Sequence, residues 1–167
     1  MKRLLAATAV VLGAAALVTP VLAQTPEPPA WPSGTSQVFV SAHTLTAANA
    51  AYTPAAVGKQ ENFFPQGAAV VFQAYAVDLK STRVVTSKDA KFFYVSIPNQ
   101  PNLKLTYTKV GTGAKALYLW TGTWTVPADY PLGVVPFKVL VKTNSKRVGS
   151  FSQAPVAAAQ LTVIAKA

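Results

Sequence analysis

The sequence predicts an all-β fold, an antiparallel two-sheet β-sandwich of about 7–8 strands, and three observations carry that prediction. Short runs rich in Val, Phe, Tyr and Thr recur along the chain and are separated by Gly, Pro and Asn, the residues that punctuate strands. Several runs alternate apolar and polar residues with period two, as half-buried strands do. Helical periodicity is hard to find, so the crossover helices that a parallel sheet needs have no place in the chain.

The predicted strands are 37–44, 68–78, 91–97, 103–109, 116–126, 134–143, 147–151 and 161–165. In 91–97, Phe93, Val95 and Ile97 share one face. In 134–143, Phe137, Val139 and Val141 share one, with Lys138 and Lys142 opposite. One face is therefore expected to be buried and the other wet, which is the pattern of two packed antiparallel layers. Asn99-Gln100-Pro101-Asn102 and Thr143-Asn144-Ser145-Lys146 read as turns joining neighbouring strands. The stretch 45–67 is long for a bare loop, so a short strand or an Ala-rich helical turn around 46–51 is expected within it. Pro155, in the Ala-rich stretch 152–160, suits an edge or a strand changing sheets.

Ahead of the strands, Met1-Lys2-Arg3 and the apolar run 4–18 form the charged and hydrophobic parts of a signal peptide. Val21-Leu22-Ala23 fits signal peptidase, which places the cut after Ala23. The apolar run, about 15 residues, is shorter than the roughly 20 that span a bilayer, so no transmembrane segment is expected after cleavage. No Cys follows the cut, which removes a lipid anchor. Residues 24–36 carry Pro26, Pro28, Pro29 and Pro32 and read as an extended tether, also bearing Trp31. The organisation is thus 1–23 signal peptide, 24–36 tether and 37–167 sandwich domain. The expected location is periplasmic or secreted.

The chain has no cysteine, so export offers it no disulfide and the core alone must supply stability. Thiolate metal sites are excluded for the same reason. Lys2 and Arg3 are two of the 15 basic residues, so 13 remain against five acids, a net charge of +8 for the processed chain. For a basic exported protein the expected charged partner is an anionic envelope polymer rather than nucleic acid.

Two segments carry a family likeness. Phe64-Pro65-Gln66-Gly67 precedes Val70-Val71-Phe72, and Trp124-Thr125-Val126-Pro127-Ala128-Asp129-Tyr130-Pro131-Leu132-Gly133 precedes Phe137-Lys138-Val139. With a Pro-x-Gly turn before an early strand and another before a late one, the chain resembles the bacterial immunoglobulin-like domains. The resemblance implies an immunoglobulin-like β-sandwich and a role in binding or spacing. It departs from antibody-type domains in lacking paired cysteines, and Phe137 stands where a corner tyrosine is expected.

Candidate chemistry is sparse. His43 is the sole histidine and lies on the face opposite Val38, Val40 and Ala42, a surface position with no cysteine or second histidine for a triad or zinc site. Asp78 and Asp89 flank one hairpin; a glycosidase pair would need them close with opposed roles, whereas turn residues need only local backbone donors. Tyr118, Trp120 and Trp124 share a strand face, with Gly122 between the indoles and Thr121, Thr123 and Thr125 on the other side. A dry face makes the indoles core; a wet one makes a stacking platform for sugars. Lys142, Lys146 and Arg147 bracket a hairpin and offer a basic tip. Gly111-Thr112-Gly113 precedes no helix and is no phosphate cradle. No catalytic residue, metal or cofactor is assigned. The expected function is a non-enzymatic, cysteine-free exported module that binds or spaces another envelope or secreted protein, or an anionic or glycan polymer. A carbohydrate-binding module is the second reading and an enzyme of unknown reaction the third.

Overall fold

The computed structural model describes residues 37–153 and 160–166, and all statements below concern those residues. The signal peptide, the tether with Trp31 and the expected role of Pro155 lie outside them. The described chain is all-β, with twelve strands and no α-helix, more strands than the sequence predicted. They are β1 (Val38–Ala47), β2 (Phe63–Pro65), β3 (Ala69–Asp78), β4 (Arg83–Val84), β5 (Ala90–Ser96) and β6 (Leu103–Lys104). The second half supplies β7 (Thr106–Val110), β8 (Leu117–Thr125), β9 (Gly133–Val134), β10 (Lys138–Thr143), β11 (Val148–Ser152) and β12 (Thr162–Ile164).

Two antiparallel sheets face each other. The first has the order β1-β3-β8-β7, with β4 paired to the far end of β3, and the second has β11-β10-β5-β6. Cross-sheet aromatic contacts join them: Phe72 of β3 meets Phe137 edge-on at 4.9 Å between ring centroids, and Phe93 of β5 meets Trp120 of β8 at 4.7 Å. Phe93, Val95, Ile97, Phe137, Val139 and Val141 are all buried, as the period-two pattern requires. A small third sheet, β2-β12-β9, closes one side. Its β2–β12 pairing is parallel, the one departure from the antiparallel expectation. The two strands are so distant in sequence that the connection between them is the domain itself.

Three predicted runs change at points with a physical cause. The run 103–109 is not one strand: β6 pairs with β5 in the second sheet, β7 pairs with β8 in the first, and the chain crosses between them at buried Leu105. The run 134–143 is broken by Pro136, which has no N–H for a ladder, and Phe137 N–H instead reaches Val135 O at 2.8 Å in a three-residue turn. The helical turn expected at 46–51 is absent, because Thr46 and Ala47 pair with Val70 and Ala69 as the end of β1. Asn49 then turns the chain, its Oδ1 accepting from Ala51 N at 3.0 Å and Tyr52 N at 2.7 Å. The chain returns along β1, where Thr46 N donates to Lys59 O at 2.9 Å and Thr44 Oγ1 to Glu61 O at 2.6 Å. The turn predicted at 143–146 forms, Lys146 N donating to Thr143 O at 3.0 Å, while the one predicted at 99–102 sits two residues earlier, Gln100 N donating to Ile97 O at 3.1 Å; Asn99 and Lys146 have positive φ.

The wet outer face is only partly wet. Thr121, Thr123 and Thr125 face outward as expected, but Phe39 and Tyr75 also lie on that side of the first sheet with their rings 6.0 Å apart. On the outer side of the second sheet Leu140 and Tyr94 are buried.

Two glycines mark where the layers touch. Gly149 of β11 faces inward, and a Cβ there would overlap the Val38 carbonyl oxygen and sit 2.8 Å from Val38 Cβ. Gly122 lies under the Leu105 crossing, where a Cβ would come 2.7 Å from Leu105 Cδ2. The first obstacle is backbone and the second a side-chain tip that can yield. Gly149→Ala is therefore expected to destabilise the domain by about 3 kcal/mol and Gly122→Ala by about 1 kcal/mol in urea unfolding. Equal costs would contradict a rigid backbone obstacle at Gly149 and a yielding side chain at Gly122.

Candidate functional site

β8 decides the fate of the aromatic face. Its even-numbered residues point inward, so Trp120 is 6 % and Trp124 7 % exposed. Trp120 Nε1 donates to Val85 O at 2.9 Å, whereas Trp124 Nε1 has no hydrogen-bond partner and its ring packs edge-on against Tyr130 at 5.1 Å. The space beside Gly122 that would admit a ligand is filled by Leu105. Tyr118 alone reaches the surface, 57 % exposed, and stacks on Tyr107 of β7 at 5.5 Å with 25° between the planes. Tyr107 in turn contacts Trp120 at 5.3 Å, so an aromatic row runs from the surface to the core. The indoles belong to the core, and Tyr107 is the surface partner that sequence spacing did not single out. The signal for it lay in pairing, because β7 places Tyr107 directly across from Trp120.

The basic tip separates into three environments. Lys146 sits exposed at φ 65° in the β10–β11 turn, while Lys142 lies on the outer face of β10. Arg147 reaches across to the first sheet, its Nε 2.6 Å from Asp78 Oδ2 and its Nη2 bonded to the same oxygen. Asp78 also accepts from Lys80 N at 3.0 Å and Ser81 N at 3.2 Å. Burial pushes its carboxyl up, but the Arg147 guanidinium and the two backbone donors outweigh burial and hold it below the usual carboxylate range. A pair 69 residues apart in sequence thus ties the end of β3 to the β10–β11 hairpin.

Beside this pair lies an open cleft of about 480 Å³, lined among others by Asp78, Arg83, Lys88, Asp89, Asn144 and Arg147. Asp78 and Asp89 do approach the same space. Asp89 accepts from Thr86 Oγ1 at 2.6 Å and Thr86 N at 3.0 Å, and these bonds hold its carboxyl low as well. Both carboxyls are held low, whereas a glycosidase pair needs one of the two raised to act as general acid. His43 Nε2 lies 3.2 Å from Gln73 Oε1 on the outer face of the first sheet. Among the described residues no group of three His, Cys, Asp or Glu is placed to hold a metal ion, and no helix is long and apolar enough to cross a membrane.

The remaining feature is a free edge. β7 ends the first sheet with no described strand beyond it. At the opposite edge, part of β1 is covered by the returning chain, with Leu45 bridged to Gln60. β7 is five residues long, carries Lys109 exposed, and stands next to exposed Leu117 and Tyr118 of β8. Such an edge offers unpaired backbone groups to an incoming strand.

The Asp78–Arg147 pair has a measurable signature. Arg147→Leu leaves a buried carboxylate short of its strongest partner and is expected to cost about 2–3 kcal/mol near pH 7. Because the folded carboxyl is depressed, its stabilisation is present above the unfolded value near pH 4 and is lost as pH falls through the folded value. The cost of Arg147→Leu should therefore shrink markedly in urea unfolding at pH 3; an unchanged cost would remove the ion pair as its cause. No protein-family model, no curated protein and no solved structure matches this chain.

Proposed function

We propose that the chain is a non-enzymatic, exported, immunoglobulin-like module that binds or spaces a partner in the cell envelope, taking a partner strand along β7. The observation that carries the reading is the β7 edge, which pairs with no further strand among the described residues and is flanked by exposed Leu117, Tyr118 and Lys109. Main-chain bonds supply affinity in strand addition, and alternating side chains supply selectivity. The strand orders β1-β3-β8-β7 and β11-β10-β5 correspond to the A-B-E-D and G-F-C arrangements of immunoglobulin sandwiches, which supports the architectural part of the reading. The signal peptide at 1–23 supports export to the periplasm or beyond. Excess positive charge favours encounter with an acidic envelope or secreted protein, or an anionic polymer.

A second reading, carbohydrate binding, rests on the stacked Tyr107–Tyr118 pair rather than on the indoles. Photo-crosslinking separates the two. A crosslinker replacing Thr108 on β7 should give at least five times more adduct with an envelope protein than one replacing Thr123, in the middle of the sheet. The yield should fall when salt is raised from about 50 to 500 mM, which screens charge-driven encounter. Equal labelling at both positions would contradict strand addition. Salt-independent retention on a glycan resin, lost in Tyr118→Ala, is the result that favours sugar binding.

A further inference from the structure

The cleft beside the Asp78–Arg147 pair plays no part in strand addition or in the Tyr107–Tyr118 stack, and none of its lining residues belongs to β7 or β8. Three segments wall it: the β3–β4 turn, the turn at 86–89 and the β10–β11 turn. They are tied to one another. Asn144 N donates to Asp89 O at 2.8 Å, Asn144 Nδ2 donates to Lys88 O at 2.9 Å, and Arg147 reaches Asp78. The walls are thus fixed before a ligand arrives, which leaves little ordering cost to binding. Its polar groups are unequally committed. Asp78 Oδ1 accepts from Lys80 N and Ser81 N, Asp78 Oδ2 accepts from Arg147, and Asp89 Oδ2 accepts twice from Thr86. Arg83 and Lys88 are exposed, and among the described residues their charged ends form no hydrogen bond or ion pair. Arg147 spends Nε and one Nη2 hydrogen on Asp78, so its Nη1–Nη2 edge remains a two-donor fork.

We infer that this cleft binds a singly charged oxyanion, a carboxylate or a phosphodiester, carried on a larger body such as a glycan. Donors are in surplus over acceptors, so the ligand must supply oxygen acceptors. Arg83, Lys88 and Arg147 against Asp78 and Asp89 leave one net positive charge, which matches a group of one negative charge better than a phosphate monoester of two. Arg147 supplies direction: its side chain is 23 % exposed, Asp78 holds it in place, and a guanidinium fork suits two oxygens in one plane. Arg83 and Lys88 supply charge from two other walls. Val84 and Val85 line the same space and offer apolar contact to the carbon body. The volume, about 480 Å³, is far more than a lone ion fills and falls in the range of small-ligand sites. This anion site is therefore centred on Arg147 and the groups beside it in the cleft rather than on Lys142 and Lys146, which do not line it.

The test is an amide chemical-shift titration of the processed full chain with two probes, trigalacturonate for the carboxylate and a glycerol phosphate trimer for the phosphodiester. One or both should give saturable shifts at the amides of Ser81, Lys88 and Ser145 while that of Thr108 on β7 stays in place, and the tighter probe names the source of the charge. Arg83→Gln combined with Lys88→Gln should weaken that probe about fivefold or more, as the loss of two exposed charges implies. Lys104→Gln combined with Lys138→Gln, an equal loss of charge outside the cleft, should change it less than about twofold. Equal weakening by the two pairs would overturn the proposal, since general attraction to a basic surface would then account for the binding. So would shifts that fail to saturate by about 50 mM for both probes. Crosslinking at Thr108 reads the β7 edge separately, so failure of either reading leaves the other standing.

Discussion

Two aromatic contacts between sheets, Phe72 with Phe137 and Phe93 with Trp120, are the joint on which the domain depends. With no disulfide available, the layers are held by burial and dispersion between facing side chains, and large rings contribute most area per residue. That demand explains why β8 turns both indoles inward. It also explains why small residues appear where backbone meets backbone or a neighbouring side chain, as at Gly149 against Val38 and Gly122 under Leu105. A surface sugar platform and a cross-sheet core cannot share the same indoles, and the core claims them.

The polar links are few and sit at the ends of the sandwich. Arg147 joins Asp78 across the sheets at one end, and Tyr130 Oη donates to Pro98 O at 3.0 Å to join two loops elsewhere. The tyrosine of the second link lies in the loop from Pro127 to Gly133, whereas Phe137 has no hydroxyl to donate. Burial raises the pKa of Tyr130, which keeps its hydroxyl a donor across the physiological range. Among the described residues, the β7 edge of the first sheet carries no further strand.

Much of this architecture was readable from residues alone, and the failures have identifiable causes. The long strands announced themselves because period-two alternation records which side faces the core, as in Val139 and Val141 against Lys138 and Lys142. β2 and β4 did not, since strands of three and two residues are too short for a period and exist only through distant partners. Leu105 looked like one more strand residue, and only the pairing of its neighbours to different sheets reveals a crossing. Arg147 read as a free basic tip because its carboxylate lies far away in sequence. Leu140 and Tyr94 read as outer-face residues by alternation, yet both are buried, which alternation alone does not encode.

The most direct test of the central claim is a nuclear Overhauser spectrum of the processed chain with selectively labelled aromatic residues. The account predicts strong cross-peaks between the Phe72 and Phe137 rings and between Phe93 and the Trp120 indole. Their absence in a folded, all-β sample would contradict the facing of these two sheets.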